Sequence, residues 1–203
     1  MSFLKLIAHR GVVNNKIKEN TLAAFKEAVL NGKYVGFELD VRQTKDNRFV
    51  IHHDLIHKDK FISNYDYKEI KNEMPLLTDV LKLNTNKIIL IEIKDYKINY
   101  EKFLKLLNKY SNKNIYVMSF HNSIISNLKE LNCSFKLGVL NYLINTEVNY
   151  RYDFISYINS FINDKIKNYC YKHSIKLFSY AIHNKKQIVN KNIYYIVDEK
   201  IFT

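Results

Sequence analysis

The sequence predicts an α/β fold, a compact (β/α)8 TIM barrel formed by a single domain over residues 1–203. Strand-like and helix-like segments alternate along the chain, which is typical of parallel strands joined by helical crossovers. About eight of the strand-like segments are prominent, and this number favours a closed barrel over an open sheet. Because this fold typically needs about 250 residues, a chain of 203 residues leaves room only for short loops.

The predicted strands are short and apolar, with many β-branched or aromatic residues. The clearest is Lys87–Ile93, whose central residues are apolar on both faces, as expected of a strand buried in a parallel sheet. Arg48–His52 is a short additional strand. The other predicted strands are Leu4–Ala8, Val35–Val41, Ile115–Ser119, Phe135–Val139, Phe154–Tyr157, Ile175–Ala181 and Tyr194–Val197.

Amphipathic segments between the strands predict the helices. In Thr21–Leu30 the apolar residues recur at helical spacing, and either Asn20 or Thr21 is placed to cap the first turn. The pattern is weakest around Tyr142–Asn149, where a helix should follow the fifth barrel strand. The other predicted helices are Leu76–Leu83, Tyr100–Leu107, Ser123–Leu131, Ile162–Tyr171 and Lys185–Val189.

Composition and charge restrict the class of protein. Hydrophobic residues make up 47% of the chain, and no apolar run reaches the roughly 18 residues of a membrane span. The two cysteines suit a reducing compartment, so we expect a soluble cytoplasmic protein. The net charge of +12 would attract nucleic acid, anionic lipid or phosphorylated small molecules. Because the lysines are scattered, we expect neither nucleic-acid binding nor stable membrane insertion.

Three carboxylates stand at predicted strand ends and are candidate metal ligands. Glu38 and Asp40 are two residues apart on one strand, so both side chains should point to the same face. Glu92 would add a third carboxylate from a later strand. Three carboxylates suit Mg²⁺ or Ca²⁺, which prefer oxygen ligands. The alternative is that Glu38 and Asp40 face solvent at the rim and pair with lysines.

Two histidines are candidates for acid and base catalysis. His9 follows the first strand, and His53 follows Arg48–His52. Imidazole exchanges protons near neutral pH, and cleavage of a phosphodiester needs one group to deprotonate the attacking oxygen and another to protonate the leaving oxygen. A single histidine at a strand end is more often a structural hydrogen-bonding group. Only one of His52 and His53 should face the site, because adjacent strand positions point in opposite directions.

Basic residues beside these groups would bind a phosphate. Arg10 offers bidentate contacts, and Lys94 offers a point charge. Glu19, just before the first helix, is expected to contact Arg10 without contacting the substrate. Asp54 is expected to contact His53 in the same way.

The strand ends carry an ordered set of motifs over most of the chain. They are Ile7-Ala8-His9-Arg10-Gly11, Glu19-Asn20-Thr21-Leu22-Ala23-Ala24-Phe25, Phe37-Glu38-Leu39-Asp40-Val41, His53-Asp54, Ile91-Glu92-Ile93-Lys94 and Ser119-Phe120. This set resembles the glycerophosphodiester phosphodiesterase family. The resemblance implies a (β/α)8 barrel and hydrolysis of a small-molecule glycerophosphodiester to an alcohol and sn-glycerol 3-phosphate. Direct attack by water and a route through a cyclic phosphate both remain open.

The resemblance also implies roles for the candidate residues. A divalent cation, Mg²⁺ or Ca²⁺, would be held by Glu38, Asp40 and Glu92. His9 and His53 would be catalytic. Arg10 and Lys94 would contact the phosphate.

The sequence departs from the family pattern in two places that bear on the substrate. Members commonly have a sizeable insertion after the His-Asp motif that caps the glycerol site, and here residues 55–75 leave only a short cap. Members usually carry a tryptophan near the seventh strand, and Tyr180 stands at what resembles that position. Tyr180 is therefore a candidate substrate-binding residue.

Two alternatives compete with this hypothesis. One is a lipid phosphodiesterase of the sphingomyelinase or phospholipase D type, which should expose an apolar loop. Phe61-Ile62 is the only modest candidate for such a loop. The other is a non-catalytic phosphate-binding barrel, which should lack one of the catalytic groups.

Overall fold

The structure is a computed structural model that describes residues 4–141 and 152–202. Its strands over these ranges are β1 (Lys5–Ala8), β2 (Tyr34–Gln43), β3 (Phe49–Ile51), β4 (Ile56–His57), β5 (Lys60–Phe61), β6 (Ile88–Ile93), β7 (Ile115–Ser119), β8 (Lys136–Asn141), β9 (Phe154–Ile158), β10 (Lys176–Tyr180) and β11 (Ile193–Val197). Its α-helices over the same ranges are α1 (Leu22–Leu30), α2 (Tyr67–Ile70), α3 (Leu77–Leu81), α4 (Tyr100–Asn108), α5 (Asn122–Glu130) and α6 (Asp164–Lys172).

Eight of the described strands are parallel and close into a barrel. Around the barrel the order is β1, β2, β6, β7, β8, β9, β10 and β11. The last strand pairs with the first, with Ala8 in register with Val197. The short strand β3 runs antiparallel to the end of β2. The predicted (β/α)8 fold is therefore confirmed.

The helices lie outside the barrel, and their bounds differ from the prediction in places. Asn163 caps α6 by accepting a hydrogen bond from the backbone N–H of Ile166, so this helix begins at Asp164 rather than at Ile162. The predicted helix Lys185–Val189 is only a 3-10 turn over Lys185–Gln187, capped by Asn184. The helix expected around Tyr142–Asn149 lies outside the described residues.

Strand alternation divides the apolar core into two layers. Phe37, Leu39 and Val41 of β2 point outward and pack in the large layer between strands and helices. A second layer fills the barrel interior and consists of Ile7, Ile88, Leu90, Tyr116, Met118, Leu140, Phe154, Phe178 and Ile196. This apolar layer separates the two ends of the barrel interior, and the carboxyl-terminal end above it is the one at which chemistry is expected.

Residues 55–75 form a small unit beside β3. The hairpin of β4 and β5 is followed by a 3-10 turn and α2. Ile62, Ile70 and Met74 pack with Val50 of β3 in a separate apolar cluster. Among the helices of the described ranges, none is long and apolar enough to cross a membrane.

We expect Gly138→Ala to destabilise the barrel. A Cβ on Gly138 would lie 2.5 Å from the ring of Phe154, which is fully buried inside the barrel. Overpacking a buried site of this kind typically costs about 1–3 kcal/mol. Urea denaturation measures the free energy of unfolding. Gly32→Ala is the matched control, since a Cβ there would meet nothing within 4 Å. Equal stability of the two variants would contradict the described packing.

Candidate active site

Three buried carboxylates meet at the carboxyl-terminal mouth of the barrel. Glu38 and Asp40 lie two residues apart on β2, so both side chains point to its inner face. Asp40 is in register with Glu92 on the neighbouring strand β6. Carboxylate oxygens of the three residues lie within 4.8 Å of one another. The structure thus brings together the three residues predicted as metal ligands, and it buries them rather than leaving them at a solvated rim.

Two basic side chains compensate part of this negative charge. The ammonium of Lys94 lies 2.6 Å from Glu92 Oε1 and 3.7 Å from Asp40 Oδ1. Arg10 Nε lies 3.1 Å from Asp40 Oδ2, and Arg10 Nη1 donates a hydrogen bond to Glu19 Oε1 at 2.7 Å. The expected contact between Glu19 and Arg10 is therefore present. Because Arg10 is shared with Glu19, the two cations balance at most two of the three buried charges.

Glu38 is the carboxylate that this arrangement satisfies least. Its Oε2 accepts a hydrogen bond from the backbone N–H of Arg10 at 3.0 Å. Its buried Oε1 has no hydrogen-bond partner within the described part of the chain. Burial, reinforced by the charge of Asp40, raises the pKa of Glu38 to about 8. Burial also raises the pKa of Glu92, although the ammonium of Lys94 opposes that shift.

The donor set fits a divalent cation that prefers oxygen ligands. Mg²⁺ and Ca²⁺ bind carboxylate oxygens rather than thiolates. A bound cation would satisfy Glu38 Oε1 and would favour the ionised form of the whole cluster. Over residues 4–141 and 152–202, Glu38, Asp40 and Glu92 are the only group of three or more His, Cys, Asp or Glu side chains that could hold a metal ion.

His9 stands beside the cluster and is oriented by an aspartate from the end of the last strand. His9 Nδ1 and Asp198 Oδ1 are 2.6 Å apart, and His9 Nε2 lies 3.9 Å from Glu38 Oε2. Burial lowers the pKa of His9, but the hydrogen bond to Asp198 and the charge of Glu38 outweigh burial, so that this pKa is raised. The same hydrogen bond lowers the pKa of Asp198 to about 2.

His53 lies in the loop after β3 and faces the same mouth of the barrel as the carboxylates. Its Nδ1 lies 2.8 Å from Asp54 Oδ1, so Asp54 contacts the histidine that it was predicted to support. The backbone carbonyl of His53 accepts hydrogen bonds from Arg42 Nε and Nη2 at 3.0 and 2.7 Å. Arg42 is buried, and its Nη1 donates to Asp95 Oδ1 at 2.7 Å. Of the two adjacent histidines, His53 therefore faces the site, and His52 is not among the residues that line it.

The turn after β1 has a backbone conformation that few residues adopt. Arg10 and Gly11 have φ values of 53° and 83°, and Asn20, just before α1, has a φ of 54°. A Cβ on Gly11 would lie 2.6 Å from the Cβ of Ala24, so only glycine allows α1 to pack this closely. This turn directs the backbone N–H of Arg10 at the carboxylate of Glu38.

Asn20 serves the site rather than the helix that follows it. Its Nδ2 donates a hydrogen bond to Asp40 Oδ2 at 2.8 Å, and its Oδ1 accepts one from the backbone N–H of Asp40 at 3.3 Å. Of the two predicted capping residues, Thr21 is the one that caps α1, by accepting from the backbone N–H of Ala24. Asn20 thus fixes the position of the central carboxylate of the cluster.

Seven of the ten predicted site residues line one cavity of about 210 Å³, hereafter the active-site cavity. Asp40, Glu19 and Asp54 lie behind its lining and contact residues that belong to it. The hydroxyl of Tyr180 donates to the backbone carbonyl of Asn141, and its ring lies at the edge of the cavity. The lining residues are His9, Arg10, Glu38, His53, Glu92, Lys94, Met118, Phe120, Leu140, Tyr180 and Ile196.

The sequence pattern assigned no role at the site to four residues that orient it. Asp198 holds His9, Asn20 holds Asp40, and the ion pair of Arg42 with Asp95 holds the loop of His53. All four stand next to a predicted site residue or at the end of a predicted strand. Asn20 follows Glu19, and Arg42 follows the strand Val35–Val41. Asp95 follows Lys94 directly, and Asp198 ends the last strand as His9 follows the first.

The sequence model of the glycerophosphoryl diester phosphodiesterase family matches residues 9–161, which is well over half of the chain. The chain belongs to this family. A glycerophosphodiester phosphodiesterase of Caldanaerobacter subterraneus subsp. tengcongensis is 31% identical to this family member over 161 residues. That match covers 66% of this chain and 65% of the relative, so the chain spans just under two thirds of the length of that protein.

Solved structures share the fold over nearly the whole chain. A glycerophosphodiester phosphodiesterase from Thermotoga maritima has a TM-score of 0.81 and 23% identity, and the match covers 98% of this chain and 95% of that one. A phosphodiesterase from Oleispira antarctica, in complex with the product sn-glycerol-3-phosphate, has a TM-score of 0.81 and 18% identity. That match covers 98% of this chain and 96% of the other. At these identities the likeness shows the barrel fold.

We expect Arg42→Ala to destabilise this family member by about 3 kcal/mol. Removing one partner of a buried ion pair leaves the other charge uncompensated, which typically costs about 3–5 kcal/mol. Here Asp95 would lose its guanidinium partner, and the His53 carbonyl would lose two donors. The free energy of unfolding in urea checks this result. Arg48→Ala removes an exposed arginine from the adjacent loop and should change stability by less than about 0.5 kcal/mol. Equal effects would argue against the described role of Arg42.

Proposed function

We propose that the chain is a metal-dependent glycerophosphodiester phosphodiesterase that releases an alcohol and sn-glycerol 3-phosphate. The observation that carries this proposal is the buried cluster of Glu38, Asp40 and Glu92, which lies at one cavity with His9 and His53. Membership of the family supports the reaction class, and the product bound to the Oleispira antarctica phosphodiesterase supports the identity of the phosphate-bearing product. The proposal assigns residues 1–203 to one barrel domain with a short insertion at residues 55–75.

In this proposal Glu38, Asp40 and Glu92 hold Mg²⁺ or Ca²⁺. When bound, the cation supplies a positive charge that polarises the phosphoryl group and stabilises the charge that develops during cleavage. Arg10 and Lys94 line the same cavity and place further positive charge against the phosphate oxygens. Tyr180 contacts the bound substrate from the edge of the cavity.

Each histidine would exchange a proton through Nε2. Asp198 engages His9 at Nδ1, and Asp54 engages His53 at Nδ1. A carboxylate at Nδ1 holds the proton of a neutral imidazole there and leaves Nε2 able to accept a proton. One histidine can therefore deprotonate the attacking hydroxyl or water while the other, in its protonated form, protonates the leaving oxygen.

The two alternative functions differ in their support. A lipid phosphodiesterase should expose an apolar loop. Ile62 of the predicted pair is buried, but Phe61 is exposed, as are Leu55 and Ile56 of the same insertion, so this alternative keeps one observation in its favour. A non-catalytic phosphate-binding barrel should lack a catalytic group, and both histidines and all three carboxylates are in place around the cavity.

We expect His9→Ala and His53→Ala each to lower kcat at least about 100-fold, because general acid–base assistance contributes roughly 10²–10⁴-fold. Release of sn-glycerol 3-phosphate from glycerophosphodiesters, coupled to its dehydrogenase, measures the rate. The control is His173→Ala, which removes an exposed histidine that does not line the cavity. Near-normal turnover in both site variants would rule out the proposed roles of the histidines.

We expect chelation to abolish activity and added Mg²⁺ or Ca²⁺ to restore it. Binding of either cation to the folded state should also raise Tm, because a ligand that prefers the native state stabilises it. Glu92→Gln removes one ligand charge and should weaken this thermal shift. Glu101→Gln is the control, since Glu101 is an exposed residue of α4. Full turnover in the metal-free protein, or an unchanged shift in Glu92→Gln, would contradict the assignment of the carboxylates.

A further inference from the structure

A second cavity, of about 510 Å³, adjoins the active-site cavity. The two cavities share His9, Tyr180 and Ile196 as wall residues. We name the second one the side cavity, and its other lining residues are Ala181, Ile182, His183, Asp198, Lys200 and Ile201. Because His9 borders both spaces, its imidazole lies between the active-site cavity and the side cavity.

The wall of the side cavity is held in place by specific contacts. Ala181 has a φ of 57°, a left-handed conformation that turns the chain sharply after β10. The side-chain carbonyl of Gln187 accepts hydrogen bonds from the backbone N–H groups of His183 and Asn184 at 2.6 and 3.1 Å. Ile182 is buried in the layer between strands and helices. The loop is therefore anchored on both sides of His183.

The sizes of the two cavities indicate which part of a phosphodiester substrate each cavity can bind. Pockets for small ligands usually measure about 300–1,000 Å³. The active-site cavity, at about 210 Å³, is below this range and has room for the phosphate and one small arm. The side cavity, at about 510 Å³, lies within the range and can receive a larger second arm.

The polar groups of the side cavity determine which arm it accepts. Asp198 is its carboxylate, and both oxygens are engaged, Oδ1 by His9 and Oδ2 by Lys200 at 3.2 Å. A cationic headgroup would therefore meet a neutralised carboxylate, a lysine, two imidazoles and the ring of a single tyrosine, Tyr180. A carboxylate or hydroxyl-rich headgroup would find N–H donors on Lys200 and His183 instead.

We propose that the side cavity binds the alcohol arm of the substrate and selects headgroups that carry a carboxylate or are rich in hydroxyls over quaternary ammonium headgroups. This inference rests on the proposed phosphodiesterase function. Lys200 and His183 are its specificity-determining residues. Ile182, Ile196 and Ile201 provide the apolar surface against which the carbon skeleton of the headgroup packs.

The test measures kcat/KM for glycerophosphoserine, glycerophosphoinositol and glycerophosphocholine with the full chain and added Mg²⁺ or Ca²⁺. We expect the first two substrates to exceed glycerophosphocholine by about fivefold or more. Lys200→Ala and His183→Ala should each lower kcat/KM for the first two substrates by about fivefold, since each variant removes a donor to the headgroup. Both variants should change the value for glycerophosphocholine by less than about twofold. Lys186→Ala is the matched control, because it removes a lysine of the same loop that lines neither cavity.

The outcomes separate this inference from the proposed function. Absence of hydrolysis with all three substrates would reject the proposed function itself. Equal kcat/KM values, or a preference for glycerophosphocholine, would reject the selectivity and leave the phosphodiesterase intact. A loss in Lys200→Ala that is uniform across the substrates would also overturn the inference, because it would mean that Lys200 acts by holding Asp198. His183 has no described contact with Asp198 and distinguishes the two roles within the same experiment.

Discussion

The repulsion among three buried carboxylates is the constraint on which the rest of this structure depends. Glu38, Asp40 and Glu92 are held within 4.8 Å of one another in a place where water cannot screen them. Such a cluster is tolerable only if positive charge or protons reach it. The chain supplies Arg10 and Lys94, yet the buried Glu38 Oε1 has no hydrogen-bond partner among the described residues, so these two cations do not satisfy the whole cluster. A site that stores uncompensated negative charge is suited to bind a cation and, through it, a phosphate.

Much of the barrel and of this cluster could be predicted because both follow from strand periodicity. Alternation on β2 separates Phe37, Leu39 and Val41, which face the helices, from Glu38 and Asp40, which face inward. The same logic on β6 predicts that Glu92 and Lys94 share a face. These positions needed no knowledge of tertiary contacts, because a closed parallel barrel directs all the strand ends to one mouth.

The residues that orient the site could not be predicted in the same way, because their roles depend on contacts between distant segments. Asp198 lies 189 residues from the His9 that it holds, and Asp95 lies 53 residues from Arg42. The contact of Asn20 with the site was not predicted for a different reason. An asparagine before a helix is usually a cap, but its left-handed backbone here turns the amide away from α1 and towards Asp40, and Thr21 takes the capping role.

The two histidines are positioned by different means, and this difference links catalysis to the fold. His53 is held locally, by its neighbour Asp54 and by Arg42 of the adjoining strand. His9 is held by Asp198, which follows the strand that closes the barrel against β1. The pair between His9 and Asp198 can therefore form only when the first and last strands are joined. Separation of β1 from β11 would break the contact between His9 and Asp198 but would leave His53 in place. Barrel closure is thus a condition for complete assembly of the acid–base pair, and not only a source of stability.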